Sequence, residues 1–117
     1  MHVGGAHRVQ FDEPALVMDQ PPAVLNAVRK TYEALTAVPQ RPKILVATYF
    51  GDAGAALPAL RDTPIEGIAL DFTGAGKANL DALATAGGLP GKRLIAGVVD
   101  GRNVWIKRPE HVCFDVR

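Results

Sequence analysis

Four short apolar runs, spaced along the chain with helix-like segments between them, limit its fold more than any other feature. They lie at residues 9–11 (with an extension toward 17), 44–50, 67–72 and 93–99. Each is rich in β-branched, aliphatic or aromatic residues and is bounded by Gly, Pro or Asp. Ile44-Leu45-Val46-Ala47 and Leu94-Ile95-Ala96-Gly97-Val98-Val99 are almost continuously apolar. A strand with one wet face alternates, whereas one covered on both faces, as in a parallel sheet, does not need to.

The intervening segments read as helices. Asp19, ahead of Gln20-Pro21-Pro22, is placed to cap the first. Val24, Leu25, Val28, Tyr32 and Leu35 then recur at three-to-four spacing, and Pro39 and Pro42 stop the helix. In the second, Asp52 is the expected cap and Leu57 and Leu60 face the sheet, with Pro58 limiting where the helix can begin. The third is expected over residues 77–86, with Leu80, Leu83 and Ala84 turned inward and Gly87-Gly88 ending it.

Strand and helix in alternation with short links predict right-handed βαβ units and a parallel sheet, an α/β fold. Four strands cannot close a barrel that needs eight strands and about 250 residues. Two architectures remain: a flavodoxin-like open sheet, or a half TIM barrel completed by oligomerisation or by further segments. An unclosed half exposes strand edges and apolar surface, so a homodimer or larger assembly is expected. Residues 1–8 read as a disordered leader, 9–106 as the partial barrel and 107–117 as an irregular tail.

Bulk properties exclude several classes of function. The chain has 117 residues, 48% of them hydrophobic, which suits one folded domain. Thirteen basic against twelve acidic residues, spread along the sequence, leave no polybasic stripe for nucleic acid. No run approaches the roughly 18 apolar residues of a membrane span, and the first ten residues lack a signal-peptide core. One cysteine, Cys113, allows no intrachain disulfide. The expectation is a soluble cytoplasmic protein without nucleic-acid or membrane partners.

Ligands of β/α sheets bind at the carboxyl ends of the strands, so the residues there are the candidates. Asp12 and Glu13 end the first strand, Tyr49 the second, Asp71 the third, and Asp100, followed by Arg102, the fourth. Successive strand residues face opposite sides, so only one of Asp12 and Glu13 can point into a barrel mouth. A carboxylate there could grip an amine or a hydroxyl; Asp before Gly or Pro is also ordinary turn chemistry.

Gly74-Ala75-Gly76-Lys77 looks like a phosphate loop but lacks its first glycine and its hydroxyl, having Asp71 and Ala78 in those places. His2, His7, His111 and Cys113 have no zinc spacing, so no metal is assigned. Serine is absent, which removes a serine nucleophile, and no catalytic residue is assigned. Trp105 is expected to pack under the last strand.

Read in order, the strand ends resemble a family. Val9-Gln10-Phe11-Asp12-Glu13-Pro14-Ala15-Leu16 is similar to the Q-x-D-E-P-A-L signature of cobalamin-independent methionine synthases. Leu45 to Gly51, Gly67 to Asp71 and Gly97-Val98-Val99-Asp100-Gly101-Arg102-Asn103-Val104-Trp105 follow at the spacings of that family's N-terminal barrel. The resemblance covers residues 9–106. It implies methyl transfer from 5-methyltetrahydrofolate polyglutamate to homocysteine in the full enzyme, with folate held between two related barrels. Zinc belongs to the other, catalytic barrel. Where that barrel carries His and Cys ligands this chain has Thr48-Tyr49-Phe50, and where it carries a glutamate ligand this chain has Asp71.

The resemblance thus implies a fragment or relic of the non-catalytic barrel, with no cofactor of its own and no activity alone, and folate polyglutamate as a possible partner. The alternative is a homodimeric small-ligand-binding β/α protein with a strand-end site and no methyltransferase activity.

Overall fold

The computed structural model describes residues 4–105 and 108. The tail over 107–117, with His111 and Cys113, lies outside the described residues apart from residue 108, as does His2. Four strands form one sheet: β1 Arg8–Asp12, β2 Lys43–Ala47, β3 Gly67–Asp71 and β4 Arg93–Gly97. All three pairings are parallel and the spatial order is β1-β2-β3-β4. Helices α1 (Pro22–Ala37), α2 (Leu57–Arg61) and α3 (Gly76–Thr85) fill the crossovers.

Right-handed crossovers that always step in the same direction place every helix on one face. In keeping with this, Tyr32 of α1, Leu57 and Leu60 of α2 and Leu83 of α3 join one apolar cluster with Ile44, Val46, Ile68 and Leu70. A flavodoxin-like sheet instead reverses its strand order to take helices on both faces, and that reversal is absent here. The arrangement is an open partial barrel: singly wound, with β1 and β4 as edges.

Pairing register sorts the strand residues into two faces. Val9, Ile44, Val46, Ile68 and Leu70 look toward the helices, as does Phe11, whose ring meets that of Tyr32 edge-on at 6.0 Å. On the opposite, inner face, Gln10, Leu45, Gly67 and Arg93 form one row and Asp12, Ala47, Ala69 and Ile95 the next. Leu45 and Ile95 both lean over Gly67, whose missing Cβ would lie 3.2 Å from Leu45 and 3.4 Å from Ile95. The inner face is thus apolar at its centre but has no layer over it among the described residues.

Several local expectations are corrected. The first strand does not run on toward Val17: Pro14 removes a ladder donor, and Pro14–Val17 wind into a 3-10 turn that buries Leu16. Asp19 does not cap α1; Pro21 holds the N-cap position, with extended backbone leading directly into the helix. Asp52 does not cap α2 either, because its carboxylate accepts the Gly54 N–H at 2.7 Å within a turn. Pro58 is tolerated in the first turn of α2, where its N–H would have no partner.

The inward face of α3 is shifted from that expected. Leu83 packs on the core, but Leu80 is 45% exposed and Ala84 is exposed, while Asn79, Ala82 and Ala86 face inward. Gly87 and Gly88 end α3 at φ +73° and +80°. The Gly88 N–H reaches Leu83 O at 2.8 Å and the Gly87 N–H reaches Ala84 O at 3.1 Å, a Schellman closure. Trp105 does not pack under β4; it is 80% exposed. No described helix is long and apolar enough to cross a membrane.

At the amino ends of the strands, Arg41 forks onto Glu66 with bonds of 2.8 and 3.0 Å and also reaches Thr36 O, Pro42 O and Pro64 O. The Ile44 N–H donates to the same carboxylate at 2.7 Å. One ion pair thereby ties the end of α1 to the starts of β2 and β3. Burial pushes the Glu66 carboxyl up, but the Arg41 fork and the Ile44 N–H outweigh it and hold the group below its ordinary 4.5. A carboxylate depressed in the folded state contributes stability above its unfolded value, lost as pH falls through the folded value. Unfolding midpoints in urea should therefore fall as pH drops below about 4.5, and Glu66→Gln should flatten that dependence. An unchanged acid profile in the variant would count against the assignment.

Candidate functional site

Strand parity separates the two carboxylates that end β1. Glu13 lies on the helix side, where its Oε1 accepts the Tyr32 hydroxyl at 2.6 Å, so it fastens α1 to β1 and does not reach the rim. Burial and this partner push the Tyr32 phenol far above its ordinary value. Asp12 takes the opposite side, accepting Gln10 Nε2 at 2.7 Å. Tyr49, two residues beyond β2, neighbours Asp12; partial desolvation, then the charge and hydrogen bonding of Asp12, push its phenol up.

Asp71, Asp100 and Tyr49 line a common hollow of about 350 Å³ at the carboxyl ends of β2, β3 and β4. Its floor is made by Ala47, Ala69 and Gly97, small residues in the inner-face positions just below the rim. Asp71 is 7% exposed, and its Oδ1 accepts the Thr73 N–H at 2.8 Å and the Thr73 hydroxyl at 2.5 Å.

Asp100 accepts the Arg102 N–H at 2.9 Å and its Nε at 3.1 Å, with Asn103 Nδ2 also at 3.1 Å. The Arg102 backbone donor, followed by its guanidinium, holds the Asp100 carboxyl below the usual range against a desolvation that acts upward. Arg102 itself lies over the Phe50 ring, 4.3 Å from its centroid, and so links the loop after β4 to the loop after β2.

Of the six candidates, the structure brings Tyr49, Asp71 and Asp100 to one hollow, sets Asp12 beside Tyr49 and Arg102 across the loops, and sends Glu13 elsewhere. A wider hollow of about 610 Å³ lies at the amino ends of the strands, among Arg8, Lys43 and Arg93. It is the weaker candidate, because ligands of β/α sheets bind at the carboxyl ends and because Glu66 and Lys92 of its lining are already bonded, to Arg41 and to Ile65 O.

Asn79 is the positioning residue that sequence reasoning missed. It is 1% exposed; its Oδ1 accepts the Ala53 N–H at 3.0 Å, and its Nδ2 donates to Gly51 O at 3.1 Å and Asp71 O at 2.7 Å. One amide thus binds the β2–α2 loop to the carboxyl end of β3 and fixes the distance across the rim. The available signal was a polar residue at the spacing 79, 82, 83, 86 on a short helix.

The segment at residues 74–77 is a strand-to-helix link; Lys77 pairs with Asp81 at 2.8 Å on the helix surface. Among the described residues no three His, Cys, Asp or Glu side chains gather to hold a metal ion. The Thr48 hydroxyl donates to Ala69 O at 2.9 Å, and no thiol or imidazole stands at the rim among the described residues. This donor set does not fit a catalytic zinc.

The family described as "Cobalamin-independent synthase, N-terminal domain" matches residues 1–116. A protein of Streptomyces coelicolor named 5-methyltetrahydropteroyltriglutamate--homocysteine methyltransferase is 60% identical over 106 residues, 91% of this chain and 14% of that protein. The protein of the same name from Streptomyces avermitilis is 58% identical over the same lengths. That of Mycobacterium tuberculosis H37Rv is 54% identical over 102 residues, 87% of this chain and 13% of its own. The chain therefore spans about one seventh of these relatives, taking the 14% match as the measure. With most of its length matched, the chain belongs to the cobalamin-independent synthase N-terminal domain family.

Proposed function

We propose that the chain is a section of the folate-associated N-terminal barrel of a methionine-forming methyltransferase, a wall and rim with no transfer activity alone. The observation that supports this most directly is the composition of the rim. It gathers carboxylates, a phenol and a guanidinium, but among the described residues no thiol or imidazole and no cluster of three side chains able to hold a metal ion. Transfer of a methyl group from a tertiary amine requires the acceptor thiol to be activated as a thiolate, the task of a metal in this chemistry. The relatives carry 5-methyltetrahydropteroyltriglutamate and homocysteine in their names, which supplies the substrates of the whole enzyme. A place in the reducing cytoplasm suits a chain with a single cysteine.

The edges of β1 and β4, which no further strand pairs with among the described residues, favour association, because unpaired strand N–H and C=O groups are templates for pairing. The test combines three measurements on the purified chain: sedimentation at micromolar concentration, titration with 5-methyltetrahydropteroyltriglutamate, and methionine formation with homocysteine and added zinc. An assembly larger than the monomer, weak or no folate binding and no methionine above the blank are the expected results. Zinc-dependent methionine formation by this chain alone would refute the reading. A stable dimer that binds a small ligand at the strand ends, yet shows no link to folate, would move the assignment to a stand-alone binding protein.

A further inference from the structure

We infer that the hollow at the carboxyl ends of β2–β4 is a binding site for a small organic ammonium ion with a short apolar tail. The first reason is the state of Asp71. Its backbone is fixed by Asn79 and its Oδ1 by Thr73, while its Oδ2 takes no hydrogen bond from the described residues. That oxygen is not sealed in the interior, since Arg61 Nε is the one buried side-chain polar atom without a partner among the described residues. The side chain lines the hollow, so Oδ2 opens onto it. A carboxylate oxygen in a largely buried residue gains most from a donor that arrives with the ligand.

The second reason is charge. Among the described residues, Asp12, Asp71 and Asp100 stand against the guanidinium of Arg102, which is already paired with Asp100 and seated on Phe50. The balance at the rim is negative and favours a cation. A divalent metal is a poor match, since oxygen-ligated ions need about six ligands and no cluster of three acidic groups exists among the described residues.

The third reason is the shape and lining below the carboxylates. Ala47, Ala69 and Gly97 form a floor with no polar side chain, and Ile95 and Val99 border it. At about 350 Å³ the hollow falls at the lower end of the 300–1,000 Å³ usual for small-molecule sites. An ammonium group on Asp71 Oδ2 would place three or four carbons over this floor. This inference concerns the chain's own rim and does not rest on the methyl-transfer reading; either can fail without the other.

The test is an amide-resonance titration of the full 117-residue chain with n-butylammonium, with 1-butanol as the neutral counterpart. Saturable shifts at Ala69, Thr73 and Gly97 in the millimolar range are expected from the ammonium, with butanol at least tenfold weaker. Asp71→Asn keeps an Oδ1 acceptor for Thr73 but removes the charge, and should weaken the ammonium at least tenfold. Ala69→Leu fills the floor without touching a carboxylate and should do the same, which keeps the test decisive if the Asn variant does not fold. Equal affinity for butanol, undiminished binding in either folded variant, or no saturable shift in the parent chain would overturn the inference.

Discussion

Asn79→Ala is expected to lower the free energy of unfolding by about 3 kcal/mol, because it strands two buried backbone groups and a part-buried third, at roughly 1–3 kcal/mol for a buried group without a partner. The Ala53 N–H and the carbonyls of Gly51 and Asp71 all depend on this one amide. Helix propensity acts the other way, since alanine in α3 is better than asparagine by up to about 0.7 kcal/mol. The two accounts therefore predict opposite signs, and urea unfolding at fixed protein concentration separates them. A fixed concentration matters because association would shift the midpoint by mass action. Asn79→Asp should be at least as damaging: it turns a donor toward two carbonyl oxygens into an acceptor. With total stabilities of about 5–15 kcal/mol for domains of this kind, either variant removes a large share. A loss below 1 kcal/mol would mean that the clamp is not stabilising.

Leu60→Ala should be comparably severe, about 2–5 kcal/mol, the range for truncating a fully buried leucine with incomplete collapse of the cavity. Leu60 is 0% exposed at the meeting of α2 with the sheet. The informative control is Leu80→Ala on α3, where the leucine is already 45% exposed and the change should stay within about 0.5 kcal/mol. Both leucines were assigned inward by periodicity, so the pair tests the structure against the pattern. Equal losses at the two sites would contradict the packing of α3.

These two variants also show where sequence reasoning holds. Leu57 and Leu60 were legible because α2 is almost wholly apolar on its inner side, and only one face of so short a helix can be buried. In α3 the pattern was ambiguous: alanines and leucines alternate at several spacings, and two inward faces satisfy a period of 3.6 about equally well. The choice was made by Asn79, whose amide finds three backbone partners only when it points inward. A buried asparagine is improbable from sequence, where the hydrogen-bonding partners that make it tolerable are invisible.

The rim divides in the same way. That Asp12, Tyr49, Asp71 and Asp100 gather near one edge was readable from strand positions, because parallel strands in sequence order deliver their carboxyl ends together. That Glu13 turns away was readable only as an either-or; Tyr32, 19 residues further on, resolved it by donating its hydroxyl to Glu13. The strand ends were overestimated, at Phe50 and Val99, because both are apolar loop residues, 60% and 69% exposed, and a local pattern does not tell an exposed apolar residue from a buried one. Trp105 was misplaced because an aromatic ring after a strand is buried only if something covers it, and among the described residues nothing does.

By itself, the sequence determined the βαβ rhythm and the parallel sense of the sheet, since hydrophobic period and turn chemistry are local properties, and its strand-end motifs carried the resemblance to the family. Strand order, the one-sided helix layer, the inward face of α3 and the commitment of each rim carboxylate were decided only in three dimensions. Each depends on which distant group supplies a hydrogen-bond donor or a covering side chain. Such partners lie 8 to 28 residues away for Asn79 alone, beyond the reach of any local pattern.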